Sequence, residues 1–195
     1  MTATAMPAPL TLVQRLNLTA TQTRTLLAVV GGALLTAAAA QISFYLPWTP
    51  VPITGQTFAV LLTGTALGMR WGAASQALYV ALGAIGLPFY AGGDGGWEVA
   101  TGATAGYLVG FVLAAAVLGR LAEQRQDRAF LTSLPAMLTG TAVIYLCGAT
   151  WLAHSINVSA AEAVELGVAP FLIGDAVKLA AAGLLLPATW RLLDR

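Results

Sequence analysis

The residues with the clearest capacity for chemistry are Asp175 and Lys178, three positions apart inside the last long apolar run of the chain, residues 169–192. At 100° per residue on an α-helix the two side chains share a face and reach each other. A carboxylate accepts hydrogen bonds from N–H donors, and an ammonium receives an anionic group. Ionisable side chains within an apolar span are costly and stand where a partner or a cavity compensates them. The pair therefore reads as the recognition point for a small, partly apolar ligand that is anionic at one end. The competing reading is an intrahelical ion pair that braces a bundle.

Two further segments bring polar or aromatic groups to loops. The Pro-rich stretch P-W-T-P-V-P-I-T-G-Q-T at 47–57 places Gln56 at the start of a span, able to hydrogen-bond a ligand or to cap and cross-link helices. The loop at 87–98 holds Gly92, Gly93, Gly95 and Gly96 with Phe89, Tyr90 and Trp97. Glycines give it backbone freedom and the rings give it flat apolar faces, so it suits a lid as well as an interfacial turn. Ala28, Gly32, Thr36 and Ala40 recur every four residues, with Ala33 and Ala37 beside them. Such a ridge lets helices approach closely, inside the bundle or against a partner subunit.

The elements that position these residues are membrane helices. Of 195 residues 58% are hydrophobic and only 9% are charged, against roughly 25% charged in soluble domains. No charged residue occurs in 25–69, 71–93, 99–119 or 129–161. Runs of about 20 apolar residues cross a bilayer as helices, and there is no alternating pattern of a barrel. The spans fall at 26–46, 55–69, 72–86, 102–122, 131–153 and 169–192. The first exceeds the length of a signal-peptide core and reads as a retained helix. The expected fold is thus an all-α integral membrane protein, a six-transmembrane-helix bundle at 25–195 preceded by a cytoplasmic segment at 1–24, in which Leu10, Val13 and Leu16 form a short apolar stripe. With the N-terminus inside, Arg15, Arg24, Arg70, Arg120, Arg125, Arg128, Arg191 and Arg195 all face the cytoplasm and no basic residue lies in an outer loop. That asymmetry places both termini in the cytoplasm and Asp175, Lys178 and both Gly/Pro-rich loops in the outer half.

Several activities are excluded or disfavoured. No G-x-x-x-x-G-K-[ST] loop is present, so this chain lacks that means of using nucleotide. Cys147 and His154 are each the sole residue of their type, which leaves no cysteine cluster and no evident metal site. No nucleophile motif of a hydrolase occurs, and a net charge of +1 argues against nucleic acid.

Four segments in order resemble the BioY family, the biotin-specific substrate-binding (S) components of energy-coupling factor (ECF) transporters. They are P-V-P-I-T-G-Q-T at 50–57, L-P-F-Y-A-G-G with Gly95 and Gly96 at 87–96, G-A-T-A-G-Y-L-V-G-F at 102–111, and F-L-I-G-D-A-V-K at 171–178. The chain departs from the family's usual pattern at Ala103, Ala105 and Ile173, on the fine shape of the pocket. The resemblance implies biotin capture at the outer side of a six-helix bundle, with Lys178 on the valerate carboxylate and Asp175 on the ureido N–H groups. It adds Gln56, Tyr90, Thr104 and Tyr107 as pocket residues and Ala33 and Ala37 as contacts to a transmembrane coupling subunit. It implies no cofactor for this chain: ATP is used by cytoplasmic ATPase subunits of the assembly. A homo-oligomer stays open. So do an S component for a different small vitamin and a structural membrane protein; an intramembrane enzyme is disfavoured for want of a nucleophile or metal set.

Overall fold

The computed structural model describes residues 11–18 and 21–193. In chain order the elements are α1 (Leu12–Arg15), α2 (Gln22–Ala40), β1 (Ser43–Phe44), β2 (Ile53–Thr54), α3 (Gln56–Leu67), α4 (Met69–Ala84), α5 (Trp97–Thr101), α6 (Ala105–Glu123), α7 (Phe130–Ser155), α8 (Ala160–Gly167) and α9 (Leu172–Leu193). Four helical stretches are long and apolar enough to cross a membrane: Gln22–Ala40, Ala105–Glu123, Phe130–Ser155 and Ala160–Leu193. α3 and α4 are shorter, at 12 and 16 residues.

The first apolar run ends as a helix at Ala40, six residues before the expected limit. Gln41 turns its amide back to the Ala37 carbonyl at 2.9 Å, satisfying a carbonyl the helix leaves open. The chain then forms an antiparallel hairpin, Ser43 opposite Thr54 and Phe44 opposite Ile53, whose loop contains Pro47, Pro50 and Pro52, none of which can continue a helix. Two short helices stand where loops were expected, α5 and α8. Ser159 starts α8 by accepting the Glu162 N–H at 3.2 Å, as an N-cap does.

α6 is the centre of the bundle, packed on α3, α4 and α7. Its neighbours come close because small residues face one another. A methyl group built on Gly64 would lie 2.7 Å from the Ala115 Cα, and one on Gly119 only 2.2 Å from the Gly68 carbonyl carbon. Gly68 itself turns α3 into α4 at φ +85°, a conformation open to glycine and strained for other residues. The N–H of Met69, exposed by that turn, donates to Glu123 Oε1 at 3.0 Å, so an anion from the end of α6 caps α4.

The ridge on α2 faces inward. Ala33 is 1% exposed and Ala37 7%, and a methyl group on Gly32 would lie 2.5 Å from Ser75 Oγ of α4. Thr36 joins Gln76 of α4, whose amide also donates to Thr63 of α3 at 2.9 Å. Ala33 and Ala37 are therefore internal packing residues, and the expectation that they touch a coupling subunit is corrected. Four-residue spacing defines a face but not the neighbour it meets. The side of α2 left exposed carries Leu27, Gly31, Leu34, Leu35 and Ala38.

The far end of the bundle is closed by α1. Leu12 and Val13 are buried, and Leu12 belongs to a cluster with Leu61, Leu118, Met137, Leu179, Leu186 and Trp190. Part of the segment expected to stand apart from the bundle is thus built into it; Leu10 lies outside the described residues. Beside this cluster Trp190 Nε1 donates to Asp127 Oδ2 at 2.6 Å and the Arg128 guanidinium lies 3.7 Å over the indole. Burial raises the Asp127 carboxyl above its ordinary value, opposed by the Trp190 hydrogen bond and the Arg128 charge.

The backbone contact at Gly119 leaves no room for a side chain to give way. Gly119→Ala is expected to cost about 1–3 kcal/mol, as overpacked cores do, and to lower the melting temperature of the detergent-purified protein; a Gly31→Ala control, with open space around the added methyl, is expected to leave it unchanged.

Candidate ligand-binding site

At the opposite end from α1, α3, α6, α7 and α9 and the loops around them enclose a cavity of about 240 Å3. Its polar floor is built where α3, α7 and α9 converge. Lys178 Nζ lies 2.6 Å from Asp175 Oδ1. The same ammonium donates to the Thr54 carbonyl at 2.7 Å and to Thr57 Oγ1 at 3.2 Å, so its three protons are all engaged. Thr57 donates in turn to Asp175 Oδ1 at 3.1 Å, and Tyr145 Oη of α7 donates to Asp175 Oδ2 at 2.7 Å. Asp175 is 5% exposed and stands in the first turn of α9, where unpaired N–H groups favour a carboxylate.

The walls are apolar and aromatic: Val51 and Pro52 from the hairpin, Tyr90 from the Gly-rich loop, Tyr107, Leu108 and Phe111 from α6, Ile144 from α7 and Phe171 before α9. Concave apolar walls with a few fixed polar groups are the usual form of a small-molecule site. The two wall tyrosines present their rings, because their hydroxyls are spent elsewhere. Tyr90 Oη donates to the Val80 carbonyl at 2.7 Å, and Tyr107 Oη to the Gly167 carbonyl at 2.6 Å. Gln56 also lines the cavity, with its amide tied to Tyr79 Oη and to Thr54 Oγ1. Thr104 precedes α6 without capping it, and its hydroxyl makes no hydrogen bond to another described residue. The carboxylate of Asp94, from the Gly-rich loop, is a second polar group lining the cavity.

The rim is stitched by hydroxyl-to-carbonyl bonds between segments distant in sequence. Thr49 of the Pro-rich loop donates to the Leu166 carbonyl at 2.7 Å, and Tyr45 to the Ala91 carbonyl at 3.1 Å. Trp151 Nε1 holds the Gly102 carbonyl at 2.8 Å. Gly92 is at φ +72°, and a methyl group there would meet Tyr45 Oη at 2.6 Å. Thr49 and Tyr107 together satisfy the last two carbonyls of α8, which fixes that helix over the cavity rim.

All six residues expected around a ligand, Asp175, Lys178, Gln56, Tyr90, Thr104 and Tyr107, line this one cavity. Of the three aromatic residues of the 87–98 loop only Tyr90 does. Phe89 stacks on Tyr79, ring centroids 6.5 Å apart, and Trp97 is exposed. Among the departures noted in the sequence, Ala103 lines the cavity, whereas Ile173 is 84% exposed and points away from it. Tyr145 and Thr57 were not singled out from sequence. The signal for Tyr145 was a hydroxyl deep in an apolar helix, which must find a partner when buried. Among the described residues no group of three or more His, Cys, Asp or Glu could hold a metal ion.

The fold and cavity define a class, a membrane-embedded helical bundle that takes a small molecule into a pocket at one end. The sequence pattern of the BioY family matches residues 10–195. Biotin transporter BioY of Thermotoga maritima is 39% identical over 143 residues, covering 72% of this chain and 81% of the relative. Probable biotin transporter BioY of Pyrococcus horikoshii is 41% identical over 148 residues, covering 76% and 85%. The fold matches the crystal structure of the S component for biotin of an ECF-type ABC transporter with a TM-score of 0.80 at 22% identity, over 87% of this chain and 92% of that one. The chain belongs to the BioY family.

The division between ring and hydroxyl in Tyr107 is testable. Tyr107→Phe keeps the wall but frees the Gly167 carbonyl, so it is expected to cost about 1 kcal/mol of stability while ligand affinity stays within a few-fold; Tyr107→Ala removes the wall and is expected to abolish binding. Thermal melts with and without ligand separate the two effects.

Proposed function

We propose that this chain captures biotin at the outer side of the cytoplasmic membrane and serves as the S component of an ECF-type transporter. The single observation that carries the reading is the Asp175–Lys178 pair on the floor of an apolar, aromatic-walled cavity. It is supported by family membership and by relatives named biotin transporters. Biotin combines the features this cavity suits: a compact apolar bicycle, N–H donors at one end and a carboxylate at the other. In this reading Asp175 takes the ureido N–H groups. Lys178, 2.6 Å from Asp175, reaches the same end of the ligand and donates to the ureido oxygen, exchanging its longest bond, that to Thr57, for it, while the valerate carboxylate at the other end points away from the pair. Tyr90 and Tyr107 hold the rings and chain between their faces, while Gln56 fixes the floor and Thr104 offers its hydroxyl.

In this reading α2, α3, α4, α6, α7 and α9 are six spans, those of α3 and α4 short, with both termini in the cytoplasm, residues 1–24 on that side and 25–195 as one substrate-binding domain. The arginine distribution supports this orientation, and it sets the cavity outward. Energy comes from partners, a transmembrane coupling subunit and cytoplasmic ATPases, and this chain needs no cofactor. The face of α2 that remains free, around Gly31, is the reading's candidate for the coupling contact in place of Ala33 and Ala37.

Isothermal titration of biotin against the purified protein tests capture. Saturable one-site binding is expected for the wild type, and Lys178→Met is expected to weaken it by at least about 100-fold in protein that still folds, with a lower melting temperature because Asp175 loses its counter-ion. Loss of folding with affinity retained would instead mark the pair as a brace, and binding of another small vitamin in place of biotin would reassign the ligand. For the partner contact, Gly31→Trp is expected to leave biotin binding intact and to lower biotin uptake in cells that carry the coupling subunits.

A further inference from the structure

A carboxylate offers about four acceptor positions, two on each oxygen. On Asp175, Oδ1 is filled by Lys178 Nζ at 2.6 Å and Thr57 Oγ1 at 3.1 Å. Oδ2 receives one bond, from Tyr145 Oη at 2.7 Å. One acceptor position is therefore left, and it is on Oδ2. Lys178 and Thr57 fix the carboxylate from the α3 and α9 side, and both act on the same oxygen. A carboxylate turns as one plane about the Cβ–Cγ bond, and donors on one oxygen alone hold that plane from one side only. Tyr145, on α7, is the third point that stops this rotation, and it is also a lining residue of the cavity. An aromatic side chain of two torsions, carried on a 26-residue helix, holds its hydroxyl with little conformational freedom to lose.

We infer that Tyr145 is a positioning residue for ligand recognition, which turns Asp175 so that the open acceptor of Oδ2 meets a ligand N–H. The inference rests on the reading of Asp175 as the acceptor for the ureido group of biotin. Tyr145 acts through Asp175, and its hydroxyl gives recognition a second level: the N–H donor of the ligand must approach beside the phenol, within the plane the phenol selects. This assigns to α7 a share in selectivity that the charged pair of α9 cannot supply alone.

The test is a double-mutant cycle on biotin affinity, read by titration and by competition at millimolar biotin where affinity is low. Wild-type binding is measured first; its absence overturns the biotin reading of the site and the inference with it, before any variant is made. With wild-type binding in hand, Tyr145→Phe is expected to keep the melting temperature of the empty protein within a few degrees and to weaken biotin by about tenfold to a hundredfold, the scale of a hydrogen bond to a charged group. In an Asp175→Ala background the same change is expected to have no further effect, since the group it orients is gone. Unchanged affinity in Tyr145→Phe, or an equal loss in the Asp175→Ala background, overturns the positioning role. If Tyr145→Phe does not fold, 3-fluorotyrosine at position 145 keeps the shape and strengthens the donor; a shift in biotin affinity that disappears with Asp175→Ala supports the role, and no shift overturns it.

Discussion

Charge buried in an apolar bundle has to be solvated by the protein itself, and the Asp175–Lys178 pair is where this chain meets that demand. Taking both ions out of water costs several kcal/mol each, and mutual attraction offsets this only when the remaining donors and acceptors also find partners. Here each does. Lys178 spends its three protons on Asp175, Thr57 and the Thr54 carbonyl, and Asp175 collects Lys178, Thr57 and Tyr145. The partners come from the hairpin, α3 and α7, so these elements must converge on α9 for the pair to exist. The short hairpin and the packing of α3 against α9 deliver Thr54 and Thr57 to that point.

The cavity above the pair separates two uses of aromatic residues. Tyr90 and Tyr107 spend their hydroxyls on the Val80 and Gly167 carbonyls and leave their rings to a ligand. Tyr145 does the reverse, with its hydroxyl on Asp175. Thr49, Tyr45 and Trp151 tie the rim in the same manner. A site assembled this way is ordered before its ligand arrives, which lowers the entropy lost on binding.

Much of this was legible in the sequence because membrane burial constrains composition so strongly. The i, i+3 spacing of Asp175 and Lys178 specified their contact, and the four motif segments brought Gln56, Tyr90, Thr104 and Tyr107 to one cavity. What remained hidden depends on which neighbour a face meets. The ridge of Gly32 and Thr36, with Ala33 and Ala37 beside it, was visible as a ridge, yet only tertiary packing shows that α4, through Ser75 and Gln76, occupies it. The end of α2 at Ala40 turned on a side-chain bond from Gln41, which no hydropathy pattern carries. Tyr145 was one more aromatic residue in an apolar run until α9 was placed beside α7. Ile173, a departure in a motif, lies on the outer face of α9 and has no bearing on the cavity, a distinction that spacing within the motif does not draw.

The pair on α9 also has an electrical consequence. A membrane potential does work of about 2.3 kcal/mol on each elementary charge moved through 100 mV. Asp175 and Lys178 are one turn apart on a single helix and sum to zero, so the empty pair presents the field with a small dipole and no monopole. A monoanionic ligand gives the occupied site one net negative charge. Under the proposed function, displacement of the pair along the membrane normal is then indifferent to voltage when empty and sensitive to it when loaded, and a cell interior held negative opposes inward passage of the loaded form.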